Sequence, residues 1–479
     1  MSWALPEVMS RIEFRGLSAE NLAKYWRYCR IYGIKNATWL AIRRLQKPMG
    51  GRPAELTPLS LPRIADSEGL DYSIDKTVSV VIPTKNGSPY VEQLVGKLRA
   101  QRGTLPCEIV LVDSGSTDGT VALAESEGVK VVKISPNEFT HSFSRNSGAE
   151  ITTGDYLLFM VQDALPLTNL WLWEMVTALE TNNLAAVSCA EYPRADCDLF
   201  YGFLIQNHYN SARPDQDRIL AWDESCSSYL GLRSNAQISD VAALIRRDVF
   251  EKYRYRTAYA EDLDLGIRLI RDGHRLGFLH STRVLHSHNR SAYYFFKRGY
   301  VDARFLTEVF PNFVFPQVED KAKLFGDILM MWNRVGQVAR ELQDLRFPLP
   351  TRELTRRLLA IMAAPQTEPY LSTEGLDSEL GELMQLLSEH PGTVGSESST
   401  KTNMIWPHIE DHCERLHDWI CGVYDAADRK LAEGIVTALE KVFALHSGTH
   451  LAYLYLTLSN DAKRGETLVA LDRVMTAGV

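Results

Sequence analysis

Three features are missing from this sequence of 479 residues, and each absence excludes a class of protein. Its seven cysteines form no CxxC pair and are odd in number, which argues against a structural zinc site and favours reduced thiols in a cytoplasmic setting. The net charge of -8 lacks the positive footprint that a general nucleic-acid binder needs for phosphates. No stretch approaches the roughly 20 continuous apolar residues needed to cross a bilayer.

The first residues, MSWALPEVMSRIEF, have no basic start followed by an apolar core, so we expect no secretory signal. What is present is ordinary for a soluble globular protein: 45% hydrophobic and 23% charged residues. The length suffices for two or three domains and at least one large core. The oligomeric state stays open at this level.

Positive charge is concentrated near the start of the chain, in ENLAKYWRYCRIYGIKNATWLAIRRLQK. Its cations alternate with aromatic residues, which predicts a basic, amphipathic helical segment over residues 1–50. One interpretation is a peripheral contact with the inner face of the plasma membrane, since anionic lipid heads attract cations and aromatic rings favour the interface. The other is a helical hairpin packed on the next domain with a solvated cationic face.

Residues 51–76 are rich in proline and glycine and read as a linker. After them, buried strands such as TVSVVIPT, CEIVLVD and DYLLFMVQD alternate with short helical stretches, which predicts an α/β sheet flanked by helices over 77–318. Apolar residues at helical spacing predict a helical domain over 319–479. A polar gap near 390–403 interrupts this helical part.

Ligands of such sheets bind at the carboxyl ends of the strands, where Thr84, Asp113 and Asp163 lie. Asp113 can accept hydrogen bonds from a nucleobase, or it can serve only the DSGSTDGT turn. Asp163 can place a carboxylate oxygen on Mg²⁺ or Mn²⁺, for which one protein acid suffices beside a diphosphate. Alternatively, it only caps the following helix.

Further along the chain, Glu261 and Asp262 precede a helical run, and paired acids beside a cleft can provide a general base. Acid-rich helix starts are also common without any catalytic role. His286 and His288 alternate on a strand-like stretch, so we expect them to point to opposite faces and only one to reach a metal or phosphate. Arg290 follows them and either neutralises a diphosphate or lies on the surface.

Taken in order, VSVVIPTKNG, EIVLVDSGSTDGT, FSRNSGAEITTGDYLLFMVQDALP and AEDLDLGIRLIRDG resemble the motifs of family 2 glycosyltransferases of the inverting GT-A type. The resemblance covers roughly residues 77–310. QDALP, in place of the commoner acid-x-acid string, and HSHNRSAYYFFKRGYVDARF are similar to bacterial rhamnosyltransferase-like members that use dTDP-rhamnose. The resemblance implies transfer of a sugar from a nucleotide donor, dTDP- or UDP-linked, to a hydroxyl of a cell-surface glycan or lipid-linked precursor.

The resemblance also implies roles for individual residues. Asp262 matches the base that deprotonates the acceptor hydroxyl, with Glu261 beside it. Asp163 matches the second acid of the metal motif, and His286 or His288 would complete the metal and diphosphate site. The donor nucleotide would be held by residues at the strand ends and nearby loops, namely Pro83, Thr84, Asn86, Asp113, Ser114, Arg145, Gln162, Asp163 and Arg290.

One departure from the family pattern is Val161, which stands where the first acid of the metal motif is expected. It keeps open a second hypothesis, a catalytically inactive GT-A domain that acts as a carbohydrate-binding or scaffold subunit. A sugar nucleotidylyltransferase ranks lower, because VIPTKNGSPY lacks the Gly-rich, Arg-containing loop and lysine of that class.

Overall fold

The computed structural model describes residues 74–212, 217–310, 313–364, 375–389, 403–458 and 460–476. The basic segment predicted for residues 1–50, nearly all of the linker and most of the polar gap near 390–403 lie outside these residues. The described part contains a large sheet with helices around it, followed by a region built from helices.

Nine strands form the large sheet within the described residues. Strands β1 to β4 run parallel in the order β3-β2-β1-β4, and β8 joins β4 in the antiparallel direction. Beyond β8 lie β6 and β9, parallel to each other, with β5 and β7 both pairing with β9. The strands are β1 (Val78–Thr84), β2 (Glu108–Asp113), β3 (Lys130–Lys133), β4 (Tyr156–Met160), β5 (Leu165–Pro166), β6 (Ala186–Tyr192), β7 (Arg218–Leu220), β8 (Ala242–Arg246) and β9 (Leu276–Leu285).

Helices follow most strands of this sheet and cover both of its faces. Because both faces are covered, β1 and β4 are almost continuously apolar and buried rather than alternating. The helices are α1 (Tyr90–Arg99), α2 (Thr120–Ser126), α3 (His141–Glu150), α4 (Trp171–Thr181), α5 (Leu199–Ala212), α6 (Tyr229–Ala236), α7 (Arg247–Tyr253) and α8 (Glu261–Arg271).

Close packing brings α3 against the centre of the sheet. A Cβ added to Gly148 would lie 2.4 Å from a methyl group of Val81, so only glycine fits at this crossing. The contact fixes the face of α3 from which Arg145 projects, and it therefore matters for the site described below.

The region after β9 is helical and has its own apolar core. It contains α9 (Ala292–Val309), α10 (Lys321–Asp344), α11 (Thr351–Ala363), α12 (Ser378–Ser388), α13 (Trp406–Val423), α14 (Arg429–Thr457) and α15 (Asp461–Thr476), with a short pair β10 (Leu349–Pro350) and β11 (Ala426–Ala427). Helices α9 and α14 touch backbone to backbone, since a Cβ on Gly448 would lie 1.9 Å from the carbonyl oxygen of Phe296.

The predicted α/β class, with a mixed sheet, flanking helices and a helical region after it, is confirmed. The helical core also takes residues from α5 and α9, both of which precede residue 319, where the sequence suggested a boundary. In the part of the chain that the structure describes, no helix combines the length and apolar character needed to span a bilayer.

Candidate active site

Asp163, His286 and His288 come together at the carboxyl end of β4. His286 Nε2 lies 3.5 Å from Asp163 Oδ1, and His288 Nδ1 lies 3.5 Å from Asp163 Oδ2. The two imidazoles approach each other at 3.1 Å between their Nε2 atoms. One ligand atom from each residue fits within 4.8 Å of the others, a spacing that can hold a metal ion.

The expectation that the two histidines point to opposite faces is wrong. It assumed that the strand continues through them, whereas β9 ends at Leu285. From His286 onward the chain has no strand geometry, so the alternation of side chains no longer applies. Both rings therefore turn towards Asp163.

A second carboxylate orients one of the rings. Glu191 Oε2 lies 2.6 Å from Nδ1 of His286, and Tyr201 donates its hydroxyl proton to the same oxygen of Glu191 over 3.1 Å. In the neutral tautomer that donates Nδ1–H to Glu191, His286 has its lone pair on Nε2, on the side of Asp163 and His288. This carboxylate–histidine arrangement is common behind metal-binding histidines.

The donor atoms of this cluster fit a divalent metal. One carboxylate and two imidazoles form a mixed oxygen and nitrogen set, which suits Mn²⁺ better than Mg²⁺, since Mg²⁺ prefers oxygen ligands and water. Asp163 and His286 are buried while His288 is partly exposed, so one side of the cluster stays open to a ligand.

A cleft of about 270 Å³ opens beside this cluster. Its lining brings together loops that follow several strands: Asn86, Ser88, Tyr90, Gln162, Asp163, Arg194, Asp196, Ser287, His288, Asn289 and Arg290. Asn86, Gln162, Asp163, His288 and Arg290, all candidate site residues from the sequence, thus line one cleft. Arg290 is exposed, so its guanidinium has room to meet an anion.

Arg194 is a cation of the cleft that sequence reasoning missed. Its guanidinium donates hydrogen bonds to the backbone carbonyls of Asp163 and, over 3.2 Å, of Ser287. It also lies 4.3 Å from the ring centre of Tyr90. These contacts tie the Asp163 and His288 loops together and place a positive charge beside the metal-binding cluster.

Gln162 holds the end of β1. Its side-chain oxygen accepts from the hydroxyl of Thr84 over 2.6 Å and from the backbone N–H of Lys85 over 3.0 Å, and its amide donates to the carbonyl of Lys85. The side chain continues the pairing of strands after β4 has ended. Thr84 is therefore buried and hydrogen-bonded, while Pro83 beside it pairs with the strand β2.

Asp113 closes the turn after β2. Its carboxylate accepts from the backbone N–H groups of Gly115 and Ser116, at 3.0 and 3.1 Å, and only 4% of the residue is exposed. Ser114 is likewise buried, and its backbone N–H bonds to the carbonyl of Thr84. Asn86 accepts from the N–H of Thr117, which joins this turn to the loop after β1.

Arg145 lies fully buried between two acids. Its Nη2 atom is 2.9 Å from Asp240 Oδ2, and its Nη1 atom forms a short ion pair with Glu261. Both sides of the guanidinium fork are thereby engaged. In this geometry Arg145 orients the acids around it, and it does not line the cleft.

The two acids at the start of α8 have different surroundings. Glu261 is buried against Arg145, whereas Asp262 is only half-buried, and its carboxylate accepts from the N–H of Leu263 over 2.8 Å. Burial, followed by the negative charges of Asp240 and Glu261, raises the pKa of Asp262 to about 8. A carboxylate with a raised pKa accepts a proton more readily than an ordinary one once it is ionised.

The backbone before these acids is unusual. Ala260 has φ 52° and ψ 36°, the left-handed region that side-chain-bearing residues rarely adopt. Such a conformation costs on the order of 1 kcal/mol, and functional sites are where this kind of strain tends to persist.

Asp240 lies next to the position where the family acid is missing. Val161 donates its backbone N–H to the carbonyl of Val241, so the residue before Val241 lies across from the end of β4. The side chain of Asp240 is one third exposed. Although burial opposes this, Arg145 and then His141 lower the pKa of Asp240. An acid that favours its ionised form therefore lies in the turn before β8, directly before the residue that pairs with Val161.

Comparison with known proteins supports the motif-based resemblance. Residues 79–254 match the model of a family described as Glycosyl transferase family 2. The chain is 28% identical over 188 residues to the O-antigen chain rhamnosyltransferase WbaN of Salmonella anatum, covering 38% of this chain and 58% of that protein. It is 25% identical over 217 residues to the O-antigen chain rhamnosyltransferase RfbN of Salmonella typhimurium, covering 44% of this chain and 67% of that protein.

Among solved structures, the chain is similar to the mannosyltransferase PcManGT from Pyrobaculum calidifontis, in complex with GDP-Man and Mn²⁺. The identity is 19%, the TM-score is 0.39, and the match covers 62% of this chain and 75% of that one. The family match falls on the segment that holds Thr84, Asp113, Arg145, Asp163 and Asp240.

Proposed function

We propose that this chain, which carries a family 2 glycosyltransferase domain over residues 79–254, is an inverting glycosyltransferase that uses a nucleotide-diphosphate sugar. The observation that carries the proposal is the Asp163–His286–His288 cluster, which lies in an open cleft at the strand ends of that domain. Carboxyl ends of parallel strands are where nucleotides bind in sheets of this type.

The donor would occupy the cleft with its diphosphate towards the cluster. Asp163, His286 and His288 would hold Mn²⁺ or Mg²⁺, which supplies positive charge against the charge that develops on a departing diphosphate. Arg194 and Arg290 line the same cleft and would contact the phosphate oxygens directly. The nucleoside would lie towards the Asn86 and Asp113 turns, with Thr84 and Pro83 beneath it.

Asp262 would act as the general base of the reaction. Its carboxylate would take the proton of an acceptor hydroxyl while the oxygen attacks the anomeric carbon of the donor sugar. The new C–O bond forms as the bond from the anomeric carbon to the diphosphate breaks, and the configuration at that carbon inverts. Asp262 is half-buried and thus reachable, whereas Glu261 is held by Arg145, so we assign the proton transfer to Asp262.

The proposed substrate class rests on two relatives and one sequence motif. The two Salmonella relatives are named as O-antigen chain rhamnosyltransferases, and QDALP resembles rhamnosyltransferase-like members. We therefore propose rhamnose, carried by dTDP, as the first donor to test, with a glycan or its lipid-linked precursor as the acceptor. The reaction would take place in the cytoplasm at the inner face of the membrane.

A panel of nucleotide sugars tests the proposal. Binding and slow hydrolysis of dTDP-rhamnose, UDP-sugars and GDP-sugars would be measured with and without Mn²⁺. We expect one donor to bind best and to be hydrolysed or transferred in a metal-dependent way. Binding without any turnover on a matched acceptor would favour the inactive, carbohydrate-binding alternative, and no binding of any nucleotide sugar would contradict the proposal.

A further inference from the structure

Four histidines face one another across two helices of the helical region, away from the cleft. His408 and His412 lie four residues apart on α13, and His446 and His450 lie four residues apart on α14. Residues at this spacing lie on the same face of a helix. The two pairs meet in the opposite order along the chain, His412 with His446 and His408 with His450.

Two of the ring separations are close to those of imidazoles around one metal ion, and a third is longer. Ring centres are 5.1 Å apart for His412 and His446, 4.7 Å for His408 and His450, and 6.0 Å for His408 and His446. With metal–nitrogen bonds of 2.0–2.1 Å, tetrahedral ligation places neighbouring imidazole centres about 5 Å apart. Side-chain rotation would be needed to bring their nitrogens together, since among the described residues only Asp163, His286 and His288 already have three ligand atoms within 4.8 Å of one another.

The hydrogen bonds leave ligand atoms available. Nδ1 of His450 donates to the backbone carbonyl of His446 over 2.8 Å, so Nε2 of His450 carries a lone pair. That Nε2 is buried and has no hydrogen-bond partner, and the same holds for Nε2 of His412. His450 and His412 are only 2% and 5% exposed. Buried polar atoms without a partner are rare and call for an explanation.

The electrostatic surroundings keep these rings neutral. Burial, and after it the charge of Arg415, lowers the pKa of His412 to about 3, and burial lowers the pKa of His450 to about 4. Arg415 is itself 3.5 Å from Asp411, which offsets part of its charge. Neutral imidazole is the form that binds metals, so no proton has to be displaced near neutral pH.

We propose that His408, His412, His446 and His450 form a structural site for one divalent transition metal of the zinc class. Four imidazoles without a carboxylate suit Zn²⁺, Ni²⁺ or Cu²⁺ and not Mg²⁺ or Ca²⁺. Metal binding would break the 2.9 Å contact between His412 Nδ1 and His446 Nε2, which frees Nε2 of His446 as a ligand atom. His412 and His450 would bind through the Nε2 atoms that now lack a partner.

The metal site would stabilise the packing of α13 against α14 and of the helical region against α5. Helix α13 would be fixed to α14, which touches α9 at Gly448 and Phe296. His412 also packs against Phe200 and Phe203 of α5, a helix of the sheet region. The metal would therefore stabilise the contact between the helical region and the glycosyltransferase domain, and it would do so independently of the donor cleft.

Zinc binding tests the proposal directly. The chain would carry Asp163→Ala and His288→Ala, which removes the cleft cluster as a competing site, and would be freed of metal with a chelator. We expect one equivalent of Zn²⁺ to bind and to raise Tm as its concentration rises. In this background, His412→Gln with His446→Gln should weaken zinc binding by more than about 100-fold, beyond the effect of losing outer contacts alone. His274→Gln, a histidine outside the cluster, should not change it.

Co²⁺ offers a second readout that needs no cluster variant. The intense visible absorption of a tetrahedral Co²⁺ site in the background protein, displaced by Zn²⁺, is the expected result even if the double variant fails to fold. A background protein that retains no stoichiometric zinc, or one whose Co²⁺ spectrum is that of the aqueous ion, would overturn the proposal. Equal zinc affinity with and without the two glutamines would overturn it as well.

Discussion

Asp240 lies 2.9 Å from Nη2 of Arg145, which joins the end of the central sheet to the acids at the start of α8. Arg145 also pairs with Glu261, and burial, followed by the negative charges of Asp240 and Glu261, raises the pKa of Asp262. The two acids that contribute to the raised pKa of Asp262, and the arginine between them, come from three separate segments of the chain. Val161 leaves the end of β4 without an acid, and Asp240 directly precedes Val241, whose carbonyl accepts from the N–H of Val161.

Arg145 should be essential for stability. Arg145→Met leaves Glu261 and Asp240 without their cation, and breaking a buried ion pair in this way costs about 3–5 kcal/mol. Chemical denaturation of the variant measures the loss. Arg254→Met is the matched control, because the Arg254–Glu150 pair is largely exposed and should contribute about 0–1 kcal/mol. Equal losses in the two variants would contradict the structural role given to Arg145.

Glu191 should control metal affinity without touching the metal. Glu191→Gln removes the carboxylate that fixes Nδ1 of His286, and loss of such an outer partner weakens metal binding about 10- to 100-fold. Titration of Mn²⁺ in the presence of a donor nucleotide measures the effect. Asp196→Asn, an acid that lines the same cleft but lies outside the cluster, should leave Mn²⁺ affinity nearly unchanged. An unaltered affinity in Glu191→Gln would argue against metal binding through His286.

The pH dependence of turnover should follow Asp262. A general base must be ionised, and the pKa of Asp262 is raised to about 8. We therefore expect kcat/KM to rise by about tenfold per pH unit below that value and to level off above it. A profile of kcat/KM between pH 6 and 9 measures this. A flat profile, with chemistry shown to be rate-limiting, would exclude Asp262 as the base.

The stability of the fold should also depend on the protonation of Asp262. Its folded-state pKa is raised above the ordinary value of 3.8, so the folded state holds a proton that the unfolded state releases. Below pH 3.8 Asp262 is protonated in both states and does not change the free energy of unfolding. As the pH rises from 3.8 to about 8, Asp262 lowers the free energy of unfolding by an increasing amount. Asp262→Asn should raise Tm, by a margin that increases with pH across this range. A margin independent of pH would contradict the raised pKa.

Local patterns in the sequence predict much of the fold and part of the site. The apolar runs ending in Thr84, Asp113 and Asp163 predict strands whose carboxyl ends share one edge, and the structure has these residues at the ends of β1, β2 and just after β4. Such runs are informative because a buried parallel strand needs apolar residues on both faces. A residue that directly follows such a run can therefore be placed at the end of its strand from a short stretch of sequence.

Contacts between distant segments could not be predicted in the same way. Glu191, Arg194 and Asp240 belong to no motif, and they reach the site only because β6 and β8 lie beside β9 and β4 in the sheet. The strand ending at Glu191 and Tyr192 was recognisable, but nothing in the sequence pairs that acid with His286. The predicted orientation of His286 and His288 was wrong for a related reason, since it assumed a strand through both histidines, whereas β9 ends at Leu285.

The most direct test of the central claim compares two neighbouring acids on α8. Asp262→Asn removes the proposed base, while Asp264→Asn removes an acid whose partner is Arg268, four residues further along the same helix. With the donor identified by the panel, we expect Asp262→Asn to keep donor Kd within a few-fold and to lower kcat by about 10²- to 10⁴-fold. Asp264→Asn should retain turnover. Unchanged kcat in Asp262→Asn would contradict the mechanism proposed here.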